Sequence, residues 1–256
     1  MAAGRLHYWT SGSRGPWMLL THATALDHHS FDELTPLLVE AGWRTVAWDL
    51  PGHGQSPPAN GRTTMATLVD DAVAVMDDAA GAEPVTLLGH SLGGYLSQHV
   101  AFRRPDRIAA LIAIGCTSAT LLPARYQLRA LRASAALIAA LPAWVRRRHT
   151  AVQASHHPEV RRYVRRTSAR VGTRSVLSVW TALTHGFADE PERRLQAPLL
   201  IMHGTDDRTG IISSEAPRWA RHHHGSKYVV VPCARHNAHQ DNPTAVAAAV
   251  QAFTAQ

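Results

Sequence analysis

Cysteine, lysine and long apolar runs are all scarce in this sequence. The chain of 256 residues contains two cysteines, Cys116 and Cys233, and neither has the spacing of a disulfide framework or a zinc site. Each follows a predicted strand, where we expect a buried free thiol. No stretch approaches the length of a membrane span, and the first residues lack the apolar core of a signal peptide. We therefore expect a reduced, cytoplasmic protein without a membrane partner.

Lys227 is the only lysine, so arginine carries nearly all of the basic charge behind a formal net charge of +7. A nucleic-acid binder usually gathers such charge on a recognisable motif with interleaved aromatic residues, and no such motif is present. We therefore expect no nucleic-acid partner. An arginine-rich surface facing water is the simplest explanation, and a preference for acidic substrates or anionic surfaces is the alternative.

Short apolar runs alternate with helical patterns, which is typical of a mostly parallel, twisted sheet flanked by helices. A capping box of Ser30 and Glu33 predicts a helix that begins at Ser30 and stops at Gly42. Strands are predicted at residues 17–21, 44–50, 85–89, 109–115, 199–203 and 227–232, and further helices at 64–80, 92–103, 214–222 and 243–253.

The alternation breaks between residues 119 and 196, where the chain is helical and rich in arginine. This segment holds fourteen arginines against four acidic residues, a formal charge of 14 − 4 = +10. The pattern predicts an α/β core formed by residues 1–118 and 197–256, with residues 119–196 inserted as a helical cap. We expect the cap to cover the carboxyl ends of the strands, where ligands bind in open α/β sheets.

The pentapeptide Gly89-His90-Ser91-Leu92-Gly93 lies between a predicted strand and a predicted helix. A tight turn there forces the serine into a strained backbone, and it requires glycine at Gly89 and Gly93, where a Cβ would collide. The turn lifts the Ser91 hydroxyl above the sheet and aims the helix N-terminus at a developing negative charge. The context indicates a catalytic nucleophile.

A serine nucleophile needs a base and an acid that orients the base. The chain provides both in the order serine, acid, histidine. Asp206 and Asp207 follow the predicted strand at 199–203, and His236 and His239 follow the strand at 227–232. Both loops leave the carboxyl ends of strands, as Ser91 does.

The chain resembles the α/β-hydrolase superfamily, in the branch of small esterases, lactonases and cofactor-free haloperoxidase-like enzymes. The resemblance rests on four segments: Asp49-Leu-Pro-Gly-His-Gly-Gln-Ser56, Gly89-His-Ser-Leu-Gly-Gly94, His203-Gly-Thr-Asp-Asp207 and His236-Asn-Ala-His-Gln-Asp-Asn-Pro243. It implies the α/β-hydrolase fold with an inserted cap, and a catalytic triad of Ser91, Asp207 and His236. His239 is then expected to be a hydrogen-bonded residue of the following turn.

The resemblance also implies an oxyanion hole formed by the backbone N–H groups of Leu92 and Thr24. Ala23 replaces a glycine that is usual in this loop, and alanine would strain the loop if the position needed a positive φ. We further expect Ala23, His90 and Trp180 to line the substrate pocket. No cofactor is implied, and no metal, since His28-His29 and His222-His223-His224 have no accompanying carboxylate or cysteine at ligand spacing.

The expected activity is hydrolysis of a carboxylic ester or lactone of a small organic substrate through an acyl-enzyme on Ser91, by a monomer or homodimer. Haloalkane dehalogenases and epoxide hydrolases resemble the chain but need an aspartate where Ser91 stands. Hydrolysis of a carbon–carbon bond in a diketone, and perhydrolase or haloperoxidase-like activity, use the same triad and stay open. A ligand-binding relative without catalysis is the remote alternative.

Overall fold

The computed structural model describes residues 6–121 and 125–255, apart from the side chains of residues 125–127 and 135–139. Seven strands within this part of the chain form one sheet in the order β1-β3-β2-β4-β5-β6-β7. Only β1 runs antiparallel to its neighbour, and the other pairs are parallel. The strands are β1 (Tyr8–Ser11), β2 (Trp17–Thr21), β3 (Arg44–Trp48), β4 (Val85–His90), β5 (Ile108–Ile114), β6 (Leu199–Gly204) and β7 (Lys227–Val231).

Helices cover both faces of the sheet, which explains why central strands such as β4 and β6 are mostly apolar and are buried along their whole length. One face packs against α2, α3 and α7, through residues such as Leu68, Leu96 and Trp219. The other packs against α1 and α9, through residues such as Leu38 and Val246. The helices outside the insertion are α1 (Leu34–Glu40), α2 (Met65–Ala80), α3 (Leu92–Arg103), α7 (Ile212–His222), α8 (Ala238–Asp241) and α9 (Pro243–Thr254).

The predicted mostly parallel sheet is confirmed, and the bounds of its six predicted strands agree with the structure to within two residues. Two short elements, β1 and α8, were not predicted. Strand β1 lies at the sheet edge and is only half-buried, so it lacks the apolar run that marks the central strands.

Two local predictions were wrong. The Ser30–Glu33 capping box does not form: Asp27 accepts a hydrogen bond from the backbone N–H of His29 at the start of a 3₁₀ turn, and α1 begins only at Leu34. Cys116 is buried as expected, but Cys233 is exposed. The chain reverses at Cys233 with φ 54°, which places this residue in a turn after β7.

Three helices, α4 (Arg125–Ala140), α5 (Ala143–Ala154) and α6 (Pro158–Gly186), lie between β5 and β6. Helix α6 is broken at Gly172, whose φ of 73° and ψ of 162° are accessible to glycine and not to residues with a Cβ. The half before the break packs with α5 against the loop after β2, and the half after it joins the main core. The three helices lie within residues 119–196, the predicted cap, of which residues 122–124 lie outside the described residues. The division into core and cap stays a prediction.

No helix among the described residues combines the length and apolar character needed to cross a bilayer.

Candidate active site

Ser91 sits on the turn that joins β4 to α3, with φ 53° and ψ −114°. The turn is as tight as predicted: a Cβ on Gly89 would lie 2.3 Å from the Gly93 carbonyl oxygen, and one on Gly93 would lie 2.0 Å from the Thr21 carbonyl oxygen. Because both positions are glycine, the end of β2 can lie directly against the start of α3. The Ser91 backbone N–H donates to the Ile114 carbonyl of β5 at 2.8 Å, which fixes the turn to the sheet.

Asp207 and His236 meet at the carboxyl ends of β6 and β7. His236 Nδ1 lies 3.0 Å from Asp207 Oδ2, and the side chain of Asp207 is fully buried. A carboxylate only accepts, so Nδ1 carries the proton and Nε2 of the neutral ring is free to act as a base. Burial alone would raise the pKa of Asp207, but the hydrogen bond and charge of His236, together with the N–H of Thr209, lower it.

The neighbouring aspartate makes a different contact. Asp206 accepts a hydrogen bond from His156 Nε2 at 2.8 Å, and both side chains are partly exposed. Of the two aspartates, Asp207 is therefore the one with access to His236. Among the described residues the Ser91 hydroxyl makes no hydrogen bond to His236. Such catalytic hydrogen bonds are often long before substrate binds and tighten in the complex.

The loop after β2 carries Ala23 and Thr24 beside the Ser91 turn. His22 fixes this loop: its Nε2 accepts the Leu50 N–H at 3.1 Å, so its Nδ1 carries the proton and donates to the Ala23 carbonyl at 2.8 Å. Burial lowers the pKa of His22 and keeps the ring neutral. The strain considered at Ala23 lies elsewhere, because the positive φ of this loop is at Ala25, with 65°.

His90 contacts the histidine loop, the name we give to residues 232–242 between β7 and α9. Its side chain has no exposed surface, and its Nε2 donates to the backbone carbonyl of His236 at 3.0 Å. The two rings are 4.8 Å apart. Burial lowers the pKa of His90 well below its usual range, so the ring is a neutral donor. His90 therefore contacts the backbone and the ring of His236, and its expected place in the substrate pocket stays a prediction.

The remaining residues singled out for the site are packed against neighbours. Ala23 is buried in a small cluster with Leu26 and residues of α5 and α6. Trp180 on α6 is partly buried against the main core, and its Nε1 donates to Ser134 of α4 at 3.1 Å. The hydrogen bond expected of His239 is absent: the ring is buried, and neither nitrogen has a partner among the described residues.

The α5–α6 joint, residues 155–157, contacts the histidine loop. The sequence motifs did not reveal this contact. Asp241 is the centre of this contact: it accepts hydrogen bonds from the Ser155 hydroxyl, the His156 N–H at 3.3 Å and the Arg235 N–H at 2.8 Å. The last carbonyls of α5 also accept the N–H groups of His236 at 3.4 Å and Asn237 at 2.8 Å. The inserted helices thus hold the backbone of His236.

The signal for Asp241 was present in the segment His236-Asn-Ala-His-Gln-Asp-Asn-Pro243, where a carboxylate follows the histidine by five residues. No sequence signal pointed to its partner Ser155, because Ser155 lies 86 residues away, between the inserted helices α5 and α6.

His28 and His29, one of the histidine pairs considered for a metal, each contact an aspartate carboxylate. His28 Nδ1 donates to the buried carboxylate of Asp49 at 3.0 Å, and its ring stacks on Trp9 at 3.5 Å. Burial raises the pKa of Asp49, but its hydrogen bonds from His28 and from the Gln55 N–H reverse this shift and lower it. The described residues include no group of three or more histidine, cysteine or acidic side chains arranged to hold a metal ion.

The fold and the turn at Ser91 define a class of protein, and comparison with known families agrees. The family model for the alpha/beta hydrolase fold matches residues 16–243 of the sequence. The chain therefore belongs to this family of hydrolytic enzymes.

Individual relatives are similar over parts of the chain. A pimeloyl-[acyl-carrier protein] methyl ester esterase of Neisseria meningitidis is 40% identical over 92 residues, which are 36% of this chain and 33% of the esterase. The lipase LipV of Mycobacterium tuberculosis is 38% identical over 108 residues, 42% of this chain and 40% of the lipase. The matches therefore span a third to two fifths of these relatives.

Solved structures match over nearly the whole chain. A thermophilic esterase from Thermogutta terrifontis has a TM-score of 0.85 at 22% identity, covering 98% of this chain and 93% of the esterase. An enol-lactonase from Burkholderia xenovorans has a TM-score of 0.82 at 21% identity, covering 98% of this chain and 96% of the lactonase. At these identities the match establishes the fold.

Proposed function

We propose that this protein is a serine hydrolase that cleaves a carboxylic ester or lactone of a small organic substrate through an acyl-enzyme on Ser91. One observation carries the proposal. A serine with a strained backbone stands at the carboxyl edge of the sheet, and the Asp207–His236 pair lies at the same edge with Nε2 of the histidine free. This is the arrangement that activates a hydroxyl for attack on a carbonyl.

In the first half of the reaction, His236 Nε2 takes the Ser91 proton as the Ser91 oxygen attacks the carbonyl carbon. Asp207 orients the ring and stabilises its cation. The N–H groups of Leu92 and Thr24 bind the oxyanion of the tetrahedral intermediate. His236 then protonates the leaving alcohol, and the acyl group stays on Ser91.

In the second half, water attacks the acyl-enzyme, with His236 again accepting the proton. Collapse of the second tetrahedral intermediate returns the proton to Ser91 and releases the carboxylic acid. No step requires a group outside this chain and water.

Two of the relatives support an ester as the substrate class. The Neisseria protein is named as a methyl ester esterase and LipV as a lipase, and their matched segments are 38% to 40% identical to this chain. An epoxide hydrolase of Siraitia grosvenorii is 34% identical over 110 residues. Epoxide hydrolysis in this fold needs an aspartate nucleophile, and Ser91 stands in that place.

The test is a hydrolysis panel of esters, lactones and diketones of varied acyl length and charge, together with labelling by a fluorophosphonate probe. The purified protein should turn over at least one ester or lactone and carry the probe on Ser91. Ser91→Ala should lower turnover by about 100-fold or more and abolish labelling.

Ser214→Ala is the matched control, because Ser214 is an exposed serine on α7, and it should label and react like the parent protein. Turnover of diketones alone would replace the proposed reaction by carbon–carbon hydrolysis. Full activity in Ser91→Ala would contradict the nucleophile, and absence of both labelling and turnover would favour a relative that only binds ligand.

A further inference from the structure

A groove of about 520 Å³ runs between α5 and the first half of α6, and Ser91, Asp207 and His236 are not among its lining residues. Its α6 wall follows the helical spacing i, i+3, i+4, i+7, so these side chains share one face over two turns. Its α5 wall follows the spacing i, i+3, i+4. We call it the arginine groove; it is lined by Arg148, Ala151 and Val152 from α5 and by Pro158, Arg161, Arg162 and Arg165 from α6.

The arginine groove carries positive charge without a matching carboxylate. Within the described part of the chain, none of its four arginines forms an ion pair, and the guanidinium group of Arg161 donates to the Ser155 carbonyl at 2.7 Å. The acidic residue nearest in sequence, Glu159, lies 3.6 Å from His157 instead. Guanidinium groups bind carboxylates in a planar, two-pronged geometry, so the groove offers strong sites for acidic groups.

Exposed apolar side chains lie beside this charge. The structure describes four large hydrophobic residues as exposed, and three of them, Leu141, Trp144 and Val152, lie at or on α5. Trp144, which is 69% exposed, precedes Arg148 by four residues, and Val152 follows Arg148 by four. Trp144 and Val152 share one face of α5 with Arg148 at the spacing i, i+4, i+8, and we call these two apolar residues the Trp144 stripe. Exposed tryptophan beside arginine is the composition of residues that dominate protein-binding surfaces.

We propose that the arginine groove and the Trp144 stripe dock an acidic amphipathic helix of a partner protein. An amphipathic helix presents apolar residues on one face and can place carboxylates beside them at i, i+3 and i+4. This spacing matches the apolar and arginine side chains that line the groove over two turns of α6. A flat membrane surface cannot enter a concave groove. A free phosphate would leave the apolar side chains of the groove and Trp144 exposed to water. The positive field of the cap would speed the approach of such a partner.

The test uses fluorescence anisotropy with a labelled helical peptide whose one face is leucine and whose flanks are glutamate. A scrambled peptide of equal composition tests for the amphipathic pattern. The double charge reversal Arg162→Glu with Arg165→Glu removes the groove's charge. Arg129→Glu with Arg174→Glu is the matched control, because it changes the net charge equally at exposed residues outside the groove.

We expect the leucine–glutamate peptide to bind the parent protein at least about tenfold more tightly than the scrambled peptide. The groove reversal and Trp144→Ala should each weaken binding by about tenfold or more, and the control pair by less than threefold. A peptide with lysine in place of glutamate should bind the groove reversal more tightly than it binds the parent protein, because the reversal removes the repulsion. Ser91→Ala should bind unchanged, so this test stands apart from the proposed hydrolase activity.

Three outcomes would overturn the proposal. Equal losses in both charge-reversal pairs would reduce the effect to general electrostatic attraction. Stronger binding to phosphatidylglycerol vesicles than to the peptide, lost in the groove reversal, would assign the surface to lipid. Displacement of the peptide by inorganic phosphate at equal ionic strength, compared with chloride, would assign it to a free anion.

Discussion

At the residue scale, the strained backbone of Ser91 affects the free energy of unfolding, and this effect is separate from catalysis. A residue with a Cβ at φ 53° and ψ −114° costs about 1–3 kcal/mol. Ser91→Ala keeps this strain, while Ser91→Gly removes it and adds about 0.5–1 kcal/mol of chain entropy cost. We expect Ser91→Gly to be more stable than Ser91→Ala by about 1 kcal/mol, measured by urea unfolding.

Ser97 provides the control, because it is buried in the regular part of α3. There the order should reverse, with Ser97→Gly less stable than Ser97→Ala by about 1 kcal/mol. If glycine were the less stable residue at both positions, the Ser91 turn would not be strained.

At the element scale, the break at Gly172 allows the two halves of α6 to pack against different parts of the structure. The break turns one half of the helix toward α5 and the other toward the core. A Cβ at Gly172 would meet no atom within 4 Å, so the cost of Gly172→Ala is conformational only. We expect a loss of about 1–3 kcal/mol in unfolding free energy. In a continuous helix the same change would gain about 1 kcal/mol, so a stabilised variant would contradict the break.

The contact between the α5–α6 joint and the histidine loop predicts that Asp241 positions His236. In Asp241→Asn one carboxylate oxygen becomes an NH₂ group, which cannot accept, so either the Ser155 hydroxyl or the N–H groups of Arg235 and His156 lose their acceptor. A base displaced by a fraction of an ångström loses much of its effect. We expect kcat to fall about tenfold, with KM changed less than twofold, in assays of whichever ester the panel identifies.

Asp206→Asn is the matched control for this prediction. It removes the negative charge that faces His156 of the joint, but both side chains are partly exposed, and such pairs contribute little. Its kcat should stay within about threefold of the parent. If Asp241→Asn lowered the melting temperature while kcat was retained, Asp241 would be a structural residue and not a positioning one.

These elements differ in how far the sequence predicts them. Strands such as β4 and β6 are apolar on both faces, so the run of residues marks their bounds closely. The Ser30 helix start failed because Asp27, one turn earlier, supplies the cap and a 3₁₀ turn intervenes. Asp27 also accepts a hydrogen bond from Tyr163 of α6 at 2.7 Å, a contact between residues 136 positions apart that local sequence patterns do not encode.

The candidate site divides in the same way. The order of Ser91, Asp207 and His236 along the chain could be predicted, because parallel strands bring their carboxyl ends to one edge. The positioning contacts could not. Asp241 meets the α5–α6 joint through the placement of the inserted helices, and no periodicity or spacing encodes that placement.

At the scale of the whole molecule, buried neutral histidines make stability depend on pH. Burial lowers the pKa of His53 and of His239 to about 3 and that of His99 to about 4. It also lowers the pKa of His22 and His90. The unfolded chain binds protons on these residues below pH 6.5, and the folded chain does not. Stability is therefore present above pH 6.5 and is lost as pH falls toward 3.

His239 isolates one of these histidines, since its ring contacts Phe31 and His90 and has no hydrogen-bond partner among the described residues. Each such histidine should lower the unfolding free energy by about 1.4 kcal/mol per pH unit well below pH 6.5. In His239→Phe the slope of unfolding free energy against pH, from urea titrations between pH 6.5 and 5, should decrease by close to this amount.

The slope is the decisive quantity, because a change in packing around the new ring would shift the unfolding free energy equally at every pH. His149→Gln, which removes an exposed histidine of α5, is the control variant for the same urea titrations. The aspartates with lowered pKa values, Asp49 and Asp207, act only below about pH 4 and so outside this window. An unchanged slope in His239→Phe would mean that His239 takes up its proton in the folded protein, and hence that the site beside His90 admits charge.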